Sequence, residues 1–124
     1  MMQLRPTIWV VDDEDVNRIL ARAYLELLGW EVQEFSNGYD ALRRLKQERP
    51  QALLLDVRMP GLSGDDLVRQ IRAQFPHEAI RVVGYTAHCM EDALQPILAA
   101  GFDQVLIKPV SFQQMSQALP PLPG

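Results

Sequence analysis

The 124-residue sequence contains a single cysteine, Cys89. One thiol excludes an internal disulfide and every metal site built on a cysteine pair, and it suits a reducing cytosol. No basic run is longer than the Arg43-Arg44 pair, and the formal net charge is −4. Both features argue against direct nucleic-acid binding. No apolar stretch approaches the roughly 20 residues of a membrane span, and Met1 to Pro6 carries no signal-peptide pattern. There is no internal repeat, no linker composition before residue 119 and no GxxxxGK[ST] phosphate loop. These absences leave one cytoplasmic domain, 1–124, as the expectation, with its core at about 7–119. The Pro-rich stretch 120–124 reads as a natural end or the start of a linker.

Apolar residues make up 48% of the chain, enough for one packed core. Their spacing alternates between two periods. Thr7 to Val11, Glu31 to Phe35, Ala52 to Leu55, Ile80 to Tyr85 and Gln104 to Ile107 read as strands. Val16, Ile19, Leu20, Ala23 and Leu27 recur at helical spacing, which predicts a first helix with that stripe on the core and a stop at Gly29. Ala41, Leu42 and Leu45 mark a second helix between Asn37 and Glu48, and Leu67, Val68, Ile71 and Phe75 a third. Met90, Leu94, Ile97 and Leu98 mark a fourth, in which Pro96 should kink the helix or delay its start. Phe112, Met115 and Leu119 mark a short last helix. Alternating strands and helices imply a parallel sheet with helices on both faces, in which ligands sit beyond the carboxyl ends of the strands.

Those ends carry the chemistry. Asp12 and Asp13 follow the first strand, with Glu14 and Asp15 after them. Asp56 follows the third strand, Thr86 the fourth, and Lys108 and Pro109 the fifth. Each residue alone has an ordinary reading. Asp15 suits a helix N-cap, Asp56 a turn, and Lys108 a solvated surface. Together they are complementary. Three converging carboxylates repel unless a cation intervenes, and hard oxygen ligands favour Mg²⁺. A carboxylate can attack phosphorus, while an ammonium and a hydroxyl neutralise the transferring group.

The stretches Val10-Val11-Asp12-Asp13-Glu14, Leu55-Asp56-Val57-Arg58-Met59-Pro60-Gly61, Tyr85-Thr86-Ala87 and Lys108-Pro109 occur in one order over roughly residues 7 to 119. In that order and spacing the sequence resembles the receiver domains of bacterial two-component response regulators. The resemblance implies a flavodoxin-like, doubly wound α/β fold with a five-stranded parallel sheet in the order 2-1-3-4-5. It implies Asp56 as phosphoacceptor and Asp12 and Asp13 as the acidic pair. A Mg²⁺ ion would be held by Asp12, Asp13, Asp56 and the backbone carbonyl of Arg58. Thr86 would be the switch hydroxyl and Lys108 the phosphate-sensing ammonium. The implied donor is a phosphohistidine on a sensor histidine kinase or a histidine phosphotransfer domain, and the implied role is phosphorelay signalling rather than enzyme turnover. One position departs from the pattern. The family usually has an aromatic residue three places before the lysine, and here Val105 stands there.

The resemblance also implies a cis Lys108-Pro109 bond that would aim the ammonium at Asp56. Arg58 and His88, two residues after Asp56 and Thr86, are placed to tune the phosphoryl lifetime. With the predicted core stripe on the first helix, Asn17, Ala21, Leu25 and Leu28 share another face that would dock the phosphodonor. Trp9 and Trp30 read as packing residues, His77 as a loop residue, and Cys89 as a tolerated small residue. The competing reading is a phosphatase resembling the haloacid dehalogenase group, with its nucleophile in Asp13-Glu14-Asp15. Asn17 and the absence of a cap domain weigh against it.

Overall fold

The structure, a computed structural model, describes residues 5–87 and 91–120, and of residues 91–93 only the backbone. Strands and helices alternate along the chain as β1 (Thr7–Val11), α1 (Asp15–Leu27), β2 (Glu31–Phe35), α2 (Gly38–Leu45) and β3 (Ala52–Asp56). They continue as α3 (Gly64–Gln74), β4 (Arg81–Thr86), α4 (Glu91–Ala99), β5 (Gln104–Ile107) and α5 (Phe112–Ala118). All strand pairs are parallel, in the order β2-β1-β3-β4-β5. This is the flavodoxin-like arrangement, and the strand order reverses between β1 and β3.

Helices cover both faces, so the inner strands carry continuous apolar runs. Every residue of β3 is buried. The period-two alternation sorts side chains into two cores. Ile8, Val10, Leu54, Val83 and Tyr85 join Ala21, Leu25 and Met115 from α1 and α5 on one face. Trp9, Val11, Leu53, Leu55 and Val82 join Leu45, Leu67, Val68 and Ile71 from α2 and α3 on the other. Trp9 and Trp30 are packing residues, and the Trp30 indole N–H donates to the Leu119 carbonyl at 2.8 Å. His77 lies in an exposed connection. Side-chain N-caps fix several helix starts: Asn37 on α2, Ser63 on α3 and Ser111, in a capping box, on α5. Pro96 lies inside α4. Among the described residues no helix is long and apolar enough to cross a membrane.

Two expectations are corrected. Asp15 is not the N-cap of α1. Glu14 occupies that place without a side-chain cap bond, and Asp15, in the first turn, pairs with Arg18. The rotation of α1 is also opposite to its apolar pattern. Val16 is 76% exposed, Ile19 63%, and Leu27 77%, whereas Ala21 and Leu25 are buried. The helix is apolar around most of its circumference, so period alone leaves two stripes open to the core. Arginines decide between them. The Arg18 guanidinium donates to the Asp12 carbonyl at 2.7 Å and to Glu34 at 3.3 Å. Arg22 reaches Glu34 at 2.7 Å. These bonds tie one edge of α1 to β2 and turn Ala21 and Leu25 onto the sheet. His88, Cys89, Met90 and residues 121–124, to which roles were given above, lie outside the described residues.

Candidate phosphoryl-transfer site

The carboxyl ends of β1, β3, β4 and β5 meet on one edge of the sheet, beside the strand-order reversal. Three of these strands, β1, β3 and β5, extend their ladders by one backbone bond into the site. The Asp12 N–H donates to the Phe35 carbonyl at 3.1 Å, Val57 to Tyr85 at 3.0 Å, and Lys108 to Thr86 at 2.8 Å. The functional side chains are thereby carried by the sheet itself. Gly64 brings the start of α3 against this floor. A Cβ there would lie 2.2 Å from the Asp56 carbonyl oxygen, so only glycine fits.

Asp12, Asp56 and Thr86 are buried, and Asp13 sits exposed at the rim. Carboxylate oxygens of Asp12, Asp13 and Asp56 lie within 4.8 Å of one another. Lys108 Nζ stands 3.5 Å from Asp12 Oδ2 and 3.6 Å from Asp56 Oδ2. Asp12 Oδ1 accepts the Glu14 N–H at 2.9 Å, and Asp56 Oδ1 accepts the Arg58 N–H at 3.1 Å. The Arg58 side chain is exposed. The Lys108-Pro109 peptide bond is cis.

Two of the three carboxylates, Asp12 and Asp56, share the Lys108 ammonium. Burial, and then the charge of Asp12, push the Asp56 carboxyl up to about 7, against the pull of Lys108 and the Arg58 amide. A site short of positive charge and lined by hard oxygen atoms suits a small divalent cation, and Mg²⁺ is the natural candidate. Asp12, Asp13 and Asp56 are the residues able to hold it.

Two participants were not assigned a role from sequence. The Tyr85 hydroxyl donates to Asp12 Oδ2 inside the site, and burial, then that bond, push its phenol far above the usual range. Lys108 Nζ lies 4.5 Å from the centre of the Tyr85 ring. Arg18 holds the backbone of Asp12. A tyrosine in an apolar central strand needs a partner for its hydroxyl, and that was the available signal.

The family model for the response regulator receiver domain matches residues 8–120. The chain is 34% identical over 117 residues to the sensor protein GacS of Pseudomonas syringae pv. syringae, covering 92% of this chain and 13% of GacS. It is 36% identical over 110 residues to the phosphate regulon transcriptional regulatory protein PhoB of Rhizobium meliloti, covering 89% of this chain and 48% of PhoB. It therefore spans less than half of either relative. The fold matches the receiver domain of a Pseudomonas aeruginosa sensor histidine kinase, solved with a magnesium ion coordinated in the active site cleft. That match has a TM-score of 0.82 and 28% identity over 93% of this chain and 98% of the other. A response regulator from Chloroflexus aurantiacus matches with a TM-score of 0.86 and 27% identity over 92% and 93% of the two chains.

Proposed function

Because the chain belongs to the response regulator receiver domain family, we propose that it is a phosphoacceptor module of two-component signalling in which Asp56 takes the phosphoryl group. The reading rests on one observation above all: three acidic side chains converge beside a single ammonium at the strand ends. An Asp56 carboxylate oxygen attacks phosphorus of a phosphohistidine. The new O–P bond forms as the P–N bond breaks, and the departing imidazole keeps the electron pair and takes a proton from solvent. Lys108 offsets the charge on the phosphoryl oxygens, and the Thr86 hydroxyl donates to one of them. Asp12, Asp13, Asp56 and the Arg58 carbonyl would hold Mg²⁺, which when bound supplies the positive charge that three carboxylates and a phosphoryl group require. In this reading the chain assists only its own phosphorylation and dephosphorylation, in the cytoplasm.

The donor is a sensor histidine kinase or a histidine phosphotransfer domain. Its docking face is the exposed stripe Val16, Ile19, Leu20, Ala23 and Leu27 of α1, not the buried Ala21 and Leu25. A cleft lined by Leu20, Tyr85, Lys108 and Pro109 connects this stripe with the site. The test of the chemistry is incubation with acetyl phosphate, with Mg²⁺ or chelator, followed by mapping of the adduct. Modification at Asp56 alone, lost with chelator and in Asp56→Asn, is the expected outcome. An adduct elsewhere, or one indifferent to chelator, refutes the reading.

A further inference from the structure

The geometry points to Tyr85 as a positioning residue for cation binding: its hydroxyl fixes Asp12 and its ring seats Lys108. The inference rests on the phosphoacceptor reading above and adds a residue to that site. Asp12 is wholly buried, so each of its oxygens needs a donor. Oδ1 has the Glu14 N–H at 2.9 Å, and Oδ2 has the Tyr85 hydroxyl. Lys108 is a second neighbour of Oδ2 at 3.5 Å, and almost equally near Asp56 at 3.6 Å.

That near-equality is where Tyr85 acts. Were Oδ2 left without its hydroxyl donor, the ammonium at 3.5 Å would be the charged donor drawn to it. Lys108 would close on Asp12 and leave Asp56 behind. With the hydroxyl present, the demand of Asp12 is met by a neutral donor that adds no charge. Each Asp12 oxygen keeps a lone pair free for a cation, and Lys108 stays shared. The ring contributes separately, because its face lies under the ammonium at 4.5 Å from the ring centre. Strand alternation explains how Tyr85 arrives there. Its side chain lies on the α1/α5 side with Val83, and residue 85 pairs with Asp56 on β3. An aliphatic residue would fill the same space and supply neither the hydroxyl nor the ring.

Partners that orient metal ligands typically govern affinity about 10- to 100-fold. Tyr85→Phe keeps the ring and removes only the hydroxyl. Mg²⁺ titration by calorimetry of the whole chain should give a dissociation constant about tenfold weaker than wild type, with the chelator-treated variant retaining its far-UV circular dichroism. An unchanged or tighter constant overturns the assignment. So does failure of the variant to fold, since the hydroxyl would then be structural alone. The wild type separates the two levels. If it binds no Mg²⁺ at millimolar concentration and forms no Asp56 adduct, the phosphoacceptor reading itself fails. If it does both and Tyr85→Phe matches it, only the role of Tyr85 fails.

Discussion

A carboxylate that attacks phosphorus must be ionised, yet burial and the Asp12 charge raise Asp56 to about 7. An unfolded aspartate releases its proton near pH 4. Between those values the folded chain holds a proton that the unfolded chain has lost. The resulting stabilisation is fully present below about pH 4 and disappears as pH rises through about 7. In chelator, the unfolding free energy from urea titrations should therefore fall between pH 5 and pH 8, and Asp56→Asn should flatten that slope. The same proton must leave when a cation binds, so Mg²⁺ affinity should increase over the same interval. Gly64 supports the site from below. Gly64→Ala would set a methyl 2.2 Å from the Asp56 carbonyl oxygen and 2.8 Å from the Val57 Cα, both backbone atoms. Overpacking of this kind costs about 1–3 kcal/mol, which thermal unfolding would detect, with slower adduct formation at Asp56. Asp12, Asp13, Asp56, Thr86 and Lys108 were legible as candidates because each ends a strand, and topology alone gathers strand ends. Tyr85 was not, because its partner lies 73 residues away in sequence and the pairing exists only through sheet register.

Among the elements, all ten positions and types were legible, since short apolar runs alternate with helical spacing and Gly or Pro marks most breaks. The rotation of α1 was not. Val16, Ile19, Leu20, Ala23 and Leu27 satisfy a helical period as well as the buried set does. The discriminating signal is polar: Arg18 and Arg22 must face Glu34 on β2. The consequence is an apolar stripe on the outside of α1, which serves the docking reading better than the face chosen by period. Ala23 is exposed near the middle of that stripe, and its small side chain lets a partner helix approach. Ala23→Arg should leave folding and the acetyl phosphate reaction unchanged. It should slow transfer from a phosphohistidine protein about tenfold, the equivalent of 1.4 kcal/mol in docking. Equal rates with the protein donor would place the docking face elsewhere. Ala21→Arg should instead unfold the chain, because Ala21 is buried against the sheet.

At the scale of the whole molecule, the site is the place where the two cores are tied together. Asp12 is linked to α1 through Arg18, and Asp56 to the start of α3 through Gly64 and Val57. Lys108 closes the edge from β5. Val105, where the family pattern has an aromatic residue, packs half-buried against the α2/α3 core. Its side chain is too small to swing between pocket and surface as an aromatic ring can. A cation held by Asp12, Asp13 and Asp56 would engage β1 and β3 together and should stabilise the fold as a unit. A ligand that binds only the folded state adds about 2.7 kcal/mol at a hundred times its dissociation constant. Thermal unfolding of the wild type should therefore shift upward with Mg²⁺ concentration. Asp12→Asn should behave in two opposed ways. Without metal it relieves repulsion between buried like charges and should unfold no earlier than wild type. With Mg²⁺ it should gain little, because a charged ligand is gone. Parallel Mg²⁺ shifts in both proteins would mean that the cation acts at another place on the surface.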